Sequence, residues 1–335
     1  MKSLLLLALA VLPLQAAETL HLFTWADYIS PEAVDKFEAD HACRIVIDTF
    51  DSNEAMYAKL KAGATGYDVI VPTSYMIQVM AQEGLLSELD HTKLPNLKHV
   101  DPAVLDKVSD KTMLHSVPYT LGYAVIAYRE DKVKAPLPSW SMFERPELAQ
   151  RITLFDDMRE TIGAALKSLG HSINTRDDAK LAAAQAVLLR WKNNAAKFDN
   201  EGYKAGLDLG EFLLVHGYNG DLFQLTQENP KVGILIPQEG VTMSCDEMVI
   251  LKSAPQKALA HTFINFLLDP TVAAQNMQWM GYLCPNTEAL KKVSPEFLKN
   301  PAVIITDEVR AKSEVIQDLG PDLAKYTKVW DAVKR

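Results

Sequence analysis

Leu22-Phe23-Thr24-Trp25-Ala26-Asp27-Tyr28 is the stretch on which the reading of this chain turns. It starts as the end of an apolar strand and runs without a break into an indole, a carboxylate and a phenol. Pro31 then opens a helix with Ala33, Val34 and Phe37 on one side. In open α/β sheets such strand-to-helix turns are where ligands bind. A carboxylate among aromatic faces suits an organic cation, because the carboxylate takes the charge and the rings cover both charge and methylenes. The same residues also fit a packed tryptophan and a solvated aspartate beside a helix start. Recurrence of the pattern decides between the two.

The pattern does recur. Strands are expected over 19–24, 44–50 and 67–72, alternating with helices over 31–40, 54–62 and 76–83, the last capped by Thr73-Ser74-Tyr75. Strands alternating with helices predict a mostly parallel sheet. Extended segments at 116–119 and 124–128 are expected to cross between two lobes. Further strands at 151–155, 211–215, 232–237 and 247–251 follow, with long helices at 161–169, 176–195 and 257–268. Five strand ends then carry a carboxylate, a ring or both: Trp25/Asp27/Tyr28, Ser74/Tyr75, Asp157/Glu160, Tyr218/Asp221 and Asp246, with Tyr282 on a later turn. Facing one cleft, they would make it anionic and ring-lined. Trp140, Trp191, Trp279 and Trp330 read as packing residues.

The bulk numbers bound the class. The chain has 335 residues, enough for about two domains, and is 48% hydrophobic and 23% charged, an ordinary globular composition. Residues 1–17, with Lys2 before the apolar run 4–14 and Gln15-Ala16-Ala17 after it, read as a cleavable secretory signal too short to span a membrane. No cysteine follows that run to carry a lipid. Loss of Lys2 takes the formal charge from −9 to −10, which argues against nucleic acid. Enzyme devices are missing from the sequence: there is no GxGxxG after a strand, no Walker loop, no GxSxG and no HExxH. Neither a cofactor nor a metal is expected. Asp157 and Glu160, without a nucleophile beside them, fit salt bridging to an amine better than acid–base work.

Several longer stretches carry a resemblance: Thr24-Trp25-Ala26-Asp27-Tyr28, Ser52-Asn53-Glu54-Ala55-Met56-Tyr57-Ala58-Lys59-Leu60, Tyr67-Asp68-Val69-Ile70-Val71-Pro72, Asp156-Asp157-Met158-Arg159-Glu160 and Phe266-Leu267-Leu268-Asp269-Pro270. With them the mature chain resembles the spermidine/putrescine-binding proteins of bacterial ABC importers. The resemblance implies an α/β fold of the two-lobed, type II periplasmic-binding kind, each lobe a mostly parallel sheet flanked by helices. It implies a ligand set of Trp25, Ala26, Asp27, Tyr28, Thr73 and Tyr75 from the first lobe, and Asp157, Glu160, Tyr218 and Asp221 from the second. Asp246 near the hinge, Tyr282 and Gln317 complete it. Where family members carry larger rings, this chain has Tyr218 and Ser244.

The expected division is 18–122 with 245–290 for the first lobe and 123–244 with 291–335 for the second. The expected partners are a polyamine and the permease of an ABC importer in the inner membrane, or alternatively a membrane sensor, with the protein a periplasmic monomer. If Asp246 and Tyr282 face the same cleft, Cys245 and Cys284 should lie close enough for a disulfide in an oxidising compartment, leaving Cys43 free.

Overall fold

The computed structural model describes residues 17–335, so the expected signal segment lies outside the described residues except for Ala17. Among the described residues ten strands form one connected sheet: β1 Thr19–Thr24, β2 Arg44–Thr49, β3 Val69–Ile70, β4 Ser116–Arg129, β5 Ile152–Leu154, β6 Lys197–Phe198, β7 Leu214–Tyr218, β8 Val232–Leu235, β9 Thr242–Ile250 and β10 Glu314–Val315. Their order is β2-β1-β3-β9-β4-β7-β5-β6, with β10 on β9 and β8 on β4. β1 pairs in parallel with β2 and β3, and β5 in parallel with β6 and β7. These two parallel sets belong to separate lobes. The long antiparallel pair β4 and β9 joins them.

The two extended segments expected at 116–119 and 124–128 are one strand of 14 residues. Its first half pairs with β9, and its second half pairs with β7 and β8. Pro118 has no N–H to give the ladder, and the β4–β9 register shifts between Pro118 and Thr120. β9 also begins earlier than expected. Asp246 therefore sits in mid-strand opposite Thr120, not at a strand start.

Two hydrophobic cores follow. One gathers Leu20, Phe23, Phe37, Ile70, Met248 and Phe263. The other gathers Ile126, Trp140, Phe155, Leu188, Trp191 and Tyr326. Trp279 and Trp330 pack at the edges of these cores. Val293, Phe297, Ala302 and Val303 pack into the first core and Ile305 into the second, so the last crossover in the packing falls later than the expected 290/291.

Local chemistry starts the helices that carry the site. Ser30 caps Pro31–His41 by accepting from Ala33 N, and Ser52 caps Asn53–Lys61 by accepting from Ala55 N. The expected helix at 161–169 begins one turn sooner, as Met158–Ser168, because Asp157 caps it.

The three cysteines are free and buried, and the expected Cys245–Cys284 bridge is not formed. Cys245 packs in a small separate cluster with Val104 and Val108, whereas Cys284 belongs to the first core. Burial pushes the Cys284 thiol up to about 12.

Candidate functional site

A cleft of about 600 Å³ lies between the lobes, where the C-terminal ends of β1, β3, β5 and β7 converge on β9. Of the expected ligand set, Trp25, Ala26, Asp27, Tyr28, Thr73, Tyr75, Asp157, Glu160, Tyr218, Asp221, Asp246 and Tyr282 line it, and so does Ser244. Gln317 does not. Its side chain is exposed, its carbonyl accepts from Arg159 Nη1 at 2.9 Å, and the preceding Ile316 faces the cleft instead. Backbone alternation beyond the short β10 accounts for the one-residue difference.

Asp246 is the centre of the first-lobe side. Its carboxylate accepts from Tyr28 Oη on one oxygen and from Thr73 Oγ1 at 2.7 Å on the other. Thr73 stands at the N-cap position of Ser74–Gln82 but makes no side-chain cap. Its hydroxyl is spent on Asp246, and its N–H donates to Asn53 Oδ1 at 2.9 Å. Asn53 Nδ2 also donates to Thr73 Oγ1, so a residue that reads in sequence as turn chemistry fixes the rotamer of a site hydroxyl. Burial pushes the Asp246 carboxyl up to about 6, against the hydrogen bonds from Tyr28 and Thr73.

The second lobe contributes Asp157 and Glu160 from one helix start. Asp157 Oδ1 accepts from Glu160 N at 2.9 Å, and Glu160 accepts from Thr242 Oγ1. Burial raises both carboxyls; the Glu54 charge adds to the rise at Asp157, and the Asp157 charge to the rise at Glu160. Arg159 lies between them in sequence and also lines the cleft, where its charge favours the ionised form of both acids without an ion pair to either. Its guanidinium bonds Gln317 O and Asn174 Oδ1 at 2.8 Å and covers the Tyr326 ring. Among the described residues no ion pair reaches Asp157, Glu160 or Asp246. The cleft thus holds three acids, Glu160 and Asp246 buried and Asp157 half-buried, with no cation bonded to them among the described residues.

Rings enclose this charge. Trp25 meets Phe50 edge-on at 4.4 Å, Tyr28 meets Tyr282 at 5.3 Å, and Tyr218 lies against Phe155 at 4.3 Å. Asp27 stands at the mouth with a positive φ of 52°, a left-handed conformation that aspartate tolerates better than most residues. On the same side Asp221 accepts from Tyr203 Oη at 2.5 Å and from Tyr282 Oη at 3.3 Å. Gly220 is required there: a methyl group would fall inside the Tyr282 ring.

Sequence reasoning missed Thr49, Phe50, Asp51, Asn53, Asn200, Glu201, Tyr203 and Lys204, all of which line the cleft. The 200–204 group follows β6, a two-residue strand too short to show a period. Its only signal is the polar turn Asp199-Asn200-Glu201-Gly202 ahead of Tyr203.

Two α/β lobes, joined by crossing strands around one cleft, define the class of type II periplasmic binding proteins. The model of the family of bacterial extracellular solute-binding proteins matches residues 32–304. The chain belongs to that family. It is 34% identical over 333 residues to the putrescine/cadaverine-binding protein of Pseudomonas aeruginosa, covering 95% of this chain and 94% of that one. It is 32% identical to the spermidine/putrescine-binding periplasmic protein of Escherichia coli, covering 94% and 91%. The solved spermidine/putrescine ABC transporter substrate-binding protein of Streptococcus pneumoniae superposes with a TM-score of 0.83 at 31% identity, covering 95% of this chain and 99% of that chain.

Proposed function

We propose that the cleft captures a polyamine of the putrescine or spermidine class in the periplasm and that the closed protein delivers it to an ABC permease in the inner membrane. One observation carries the reading: Glu160 and Asp246, both buried, and the half-buried Asp157 converge on a ring-lined cleft, and among the described residues none is ion-paired. Buried unpaired carboxyls are costly, and an alkyl chain bearing ammonium groups offsets that cost. Each ammonium regains its lost hydration through charge-assisted hydrogen bonds, and the methylenes are covered by Trp25, Tyr218 and Tyr282. A neutral sugar could donate hydrogen bonds to the acids but would leave their charge uncompensated, and an anion would be repelled by it.

Closure follows from the division of the site. Tyr28 and Thr73 stand on one lobe, Asp157 and Glu160 on the other, and β4 and β9 run between. A ligand touching both sets favours the form in which the lobes meet. The name of the solved Streptococcus pneumoniae protein, an ABC transporter substrate-binding protein, supports delivery to a permease over a sensory role, and the apolar segment 4–14 supports export through a cleaved signal. No helix among the described residues is long and apolar enough to cross a membrane. The family consists of binding proteins, so the ligand should leave unaltered. Denaturing protein purified from periplasm and identifying the small molecules it releases tests the reading. Recovery of an intact di- or triamine supports it; recovery of a sugar, an anion or a chemically altered amine contradicts it.

A further inference from the structure

Lys204 Nζ stands 3.9 Å from Asp27 Oδ2 and donates to Gln224 Oε1 at 2.7 Å. Lys204 opens the second-lobe helix Tyr203–Leu209, whereas Asp27 follows β1 in the first lobe. Gln224 in turn donates to the Trp279 carbonyl at 3.3 Å. The ammonium is therefore held where the lobes meet, on the cleft wall beside Asp221, whose charged form it favours.

The two ends of the cleft consequently differ. Around Asp157, Glu160 and Asp246 there are three acids and one guanidinium, Arg159, whose hydrogen bonds go to Gln317 and Asn174 and which forms no ion pair with the acids, a balance of charge that two ammonium groups match. Around Asp27 and Asp221 a protein ammonium is already in place. A volume of about 600 Å³ lies within the range of small-molecule pockets and excludes neither a diamine nor a triamine by size. Discrimination has to come from charge.

We infer that Lys204 is a built-in ammonium that sets selectivity: it guards the Asp27–Asp221 end against a third ligand ammonium, so that a diamine is favoured over a triamine. The inference rests on the amine-binding reading above. A third ammonium brought to this end meets a like charge and competes for the same two carboxylates, and selectivity arises by rejecting the longer ligand.

Calorimetric affinities of the full mature chain for putrescine and spermidine, in the parent, Lys204→Met and Lys204→Arg, test it. Lys204→Met should raise the spermidine-to-putrescine affinity ratio by on the order of tenfold, while Lys204→Arg, which keeps the charge, leaves the ratio within about threefold. The ratio is the readout, because the loss of the Asp27 contact between lobes weakens both amines alike. An unchanged ratio in Lys204→Met, or one that falls, overturns the inference and leaves the amine reading standing. A parent that binds neither amine overturns the amine reading itself.

Discussion

Tyr28 Oη donates to Asp246 Oδ2, joining the first turn after β1 to the middle of the crossing strand β9. The same hydroxyl meets Thr120 Oγ1 at 2.7 Å on β4. One phenol thus ties the cleft carboxylate of Asp246 to both hinge strands. Tyr28→Phe keeps the ring but removes the bond that holds the Asp246 carboxyl down. A hydrogen bond to a charged group is worth about 1.5–3 kcal/mol, so amine affinity at pH 7 should fall on the order of tenfold. Part of the loss should return at pH 8.5, where Asp246 is ionised without help. A loss that does not depend on pH would show that the hydroxyl acts only through packing.

The pH dependence of the free protein follows from the raised acids. Asp246 is pushed to about 6 and, on the opposite side of the strand, Glu247 to about 7, both chiefly by burial. Their unfolded values are about 3.9 and 4.3. A raised folded pKa means that the native state binds more protons than the unfolded state between those values. The stability these groups contribute is full below about pH 4 and is lost as pH rises through 6 to 7. The unliganded protein should therefore melt lower at pH 8 than at pH 5.5. Glu247 accepts from Ser116 Oγ at 2.5 Å, leaves its other oxygen unpartnered and does not line the cleft. Glu247→Gln should flatten that slope and leave amine affinity unchanged, as melting curves and calorimetry will show.

An ammonium favours the charged carboxylates, so binding should expel protons. Calorimetry near pH 6.5 in buffers of different ionisation enthalpy should give a proton release that shrinks toward pH 9. Affinity should fall steadily as pH drops from 9 toward 5, as Glu160, raised furthest, and then Asp157 and Asp246 take up protons. Proton uptake on binding would have the wrong sign for this account.

Glu160 and Asp157 separate binding from folding. Glu160→Gln removes a buried charge beside Asp157, so the free protein should melt no lower. Amine affinity should fall by about 2 kcal/mol or more, on the order of thirtyfold, as an ammonium is left unpaired. Asp157→Ala should lose affinity and also stability, about 0.5–2 kcal/mol, because Asp157 caps its helix. Matched melting of the two free variants would contradict the assignment of the cap.

Much of this site could be read from strand ends. Trp25 to Tyr28, Tyr75, Asp157 and Asp221 follow apolar runs whose period announces a strand, and the parallel sheet brings such ends to one edge. Asp246 was legible as a site residue but misplaced within its strand, since Met243 and Ser244 break the apolar pattern that would mark a crossing strand. Asn53, Tyr203 and Lys204 were not legible. Asn53 acts through Thr73 across 20 positions, and the 200–204 turn follows a strand of two residues. The expected disulfide failed for a different reason: Cys245 and Cys284 follow residues of the same cleft but pack in different clusters.

The cysteines give a simple check. Native protein should react with almost no thiol reagent, and protein unfolded without reductant should titrate three thiols. Finding one thiol would mean that a bridge forms in solution.

The most direct test of the central claim is calorimetric titration of ligand-free protein, at pH 7.5, with solutes matched in size but not in charge: putrescine, its singly charged monoacetyl derivative and an uncharged diol of the same length. The account predicts one site that binds the diamine, loses on the order of a hundredfold when one ammonium is neutralised, and does not measurably bind the diol. Equal affinity across the three, or binding of the diol alone, would contradict it.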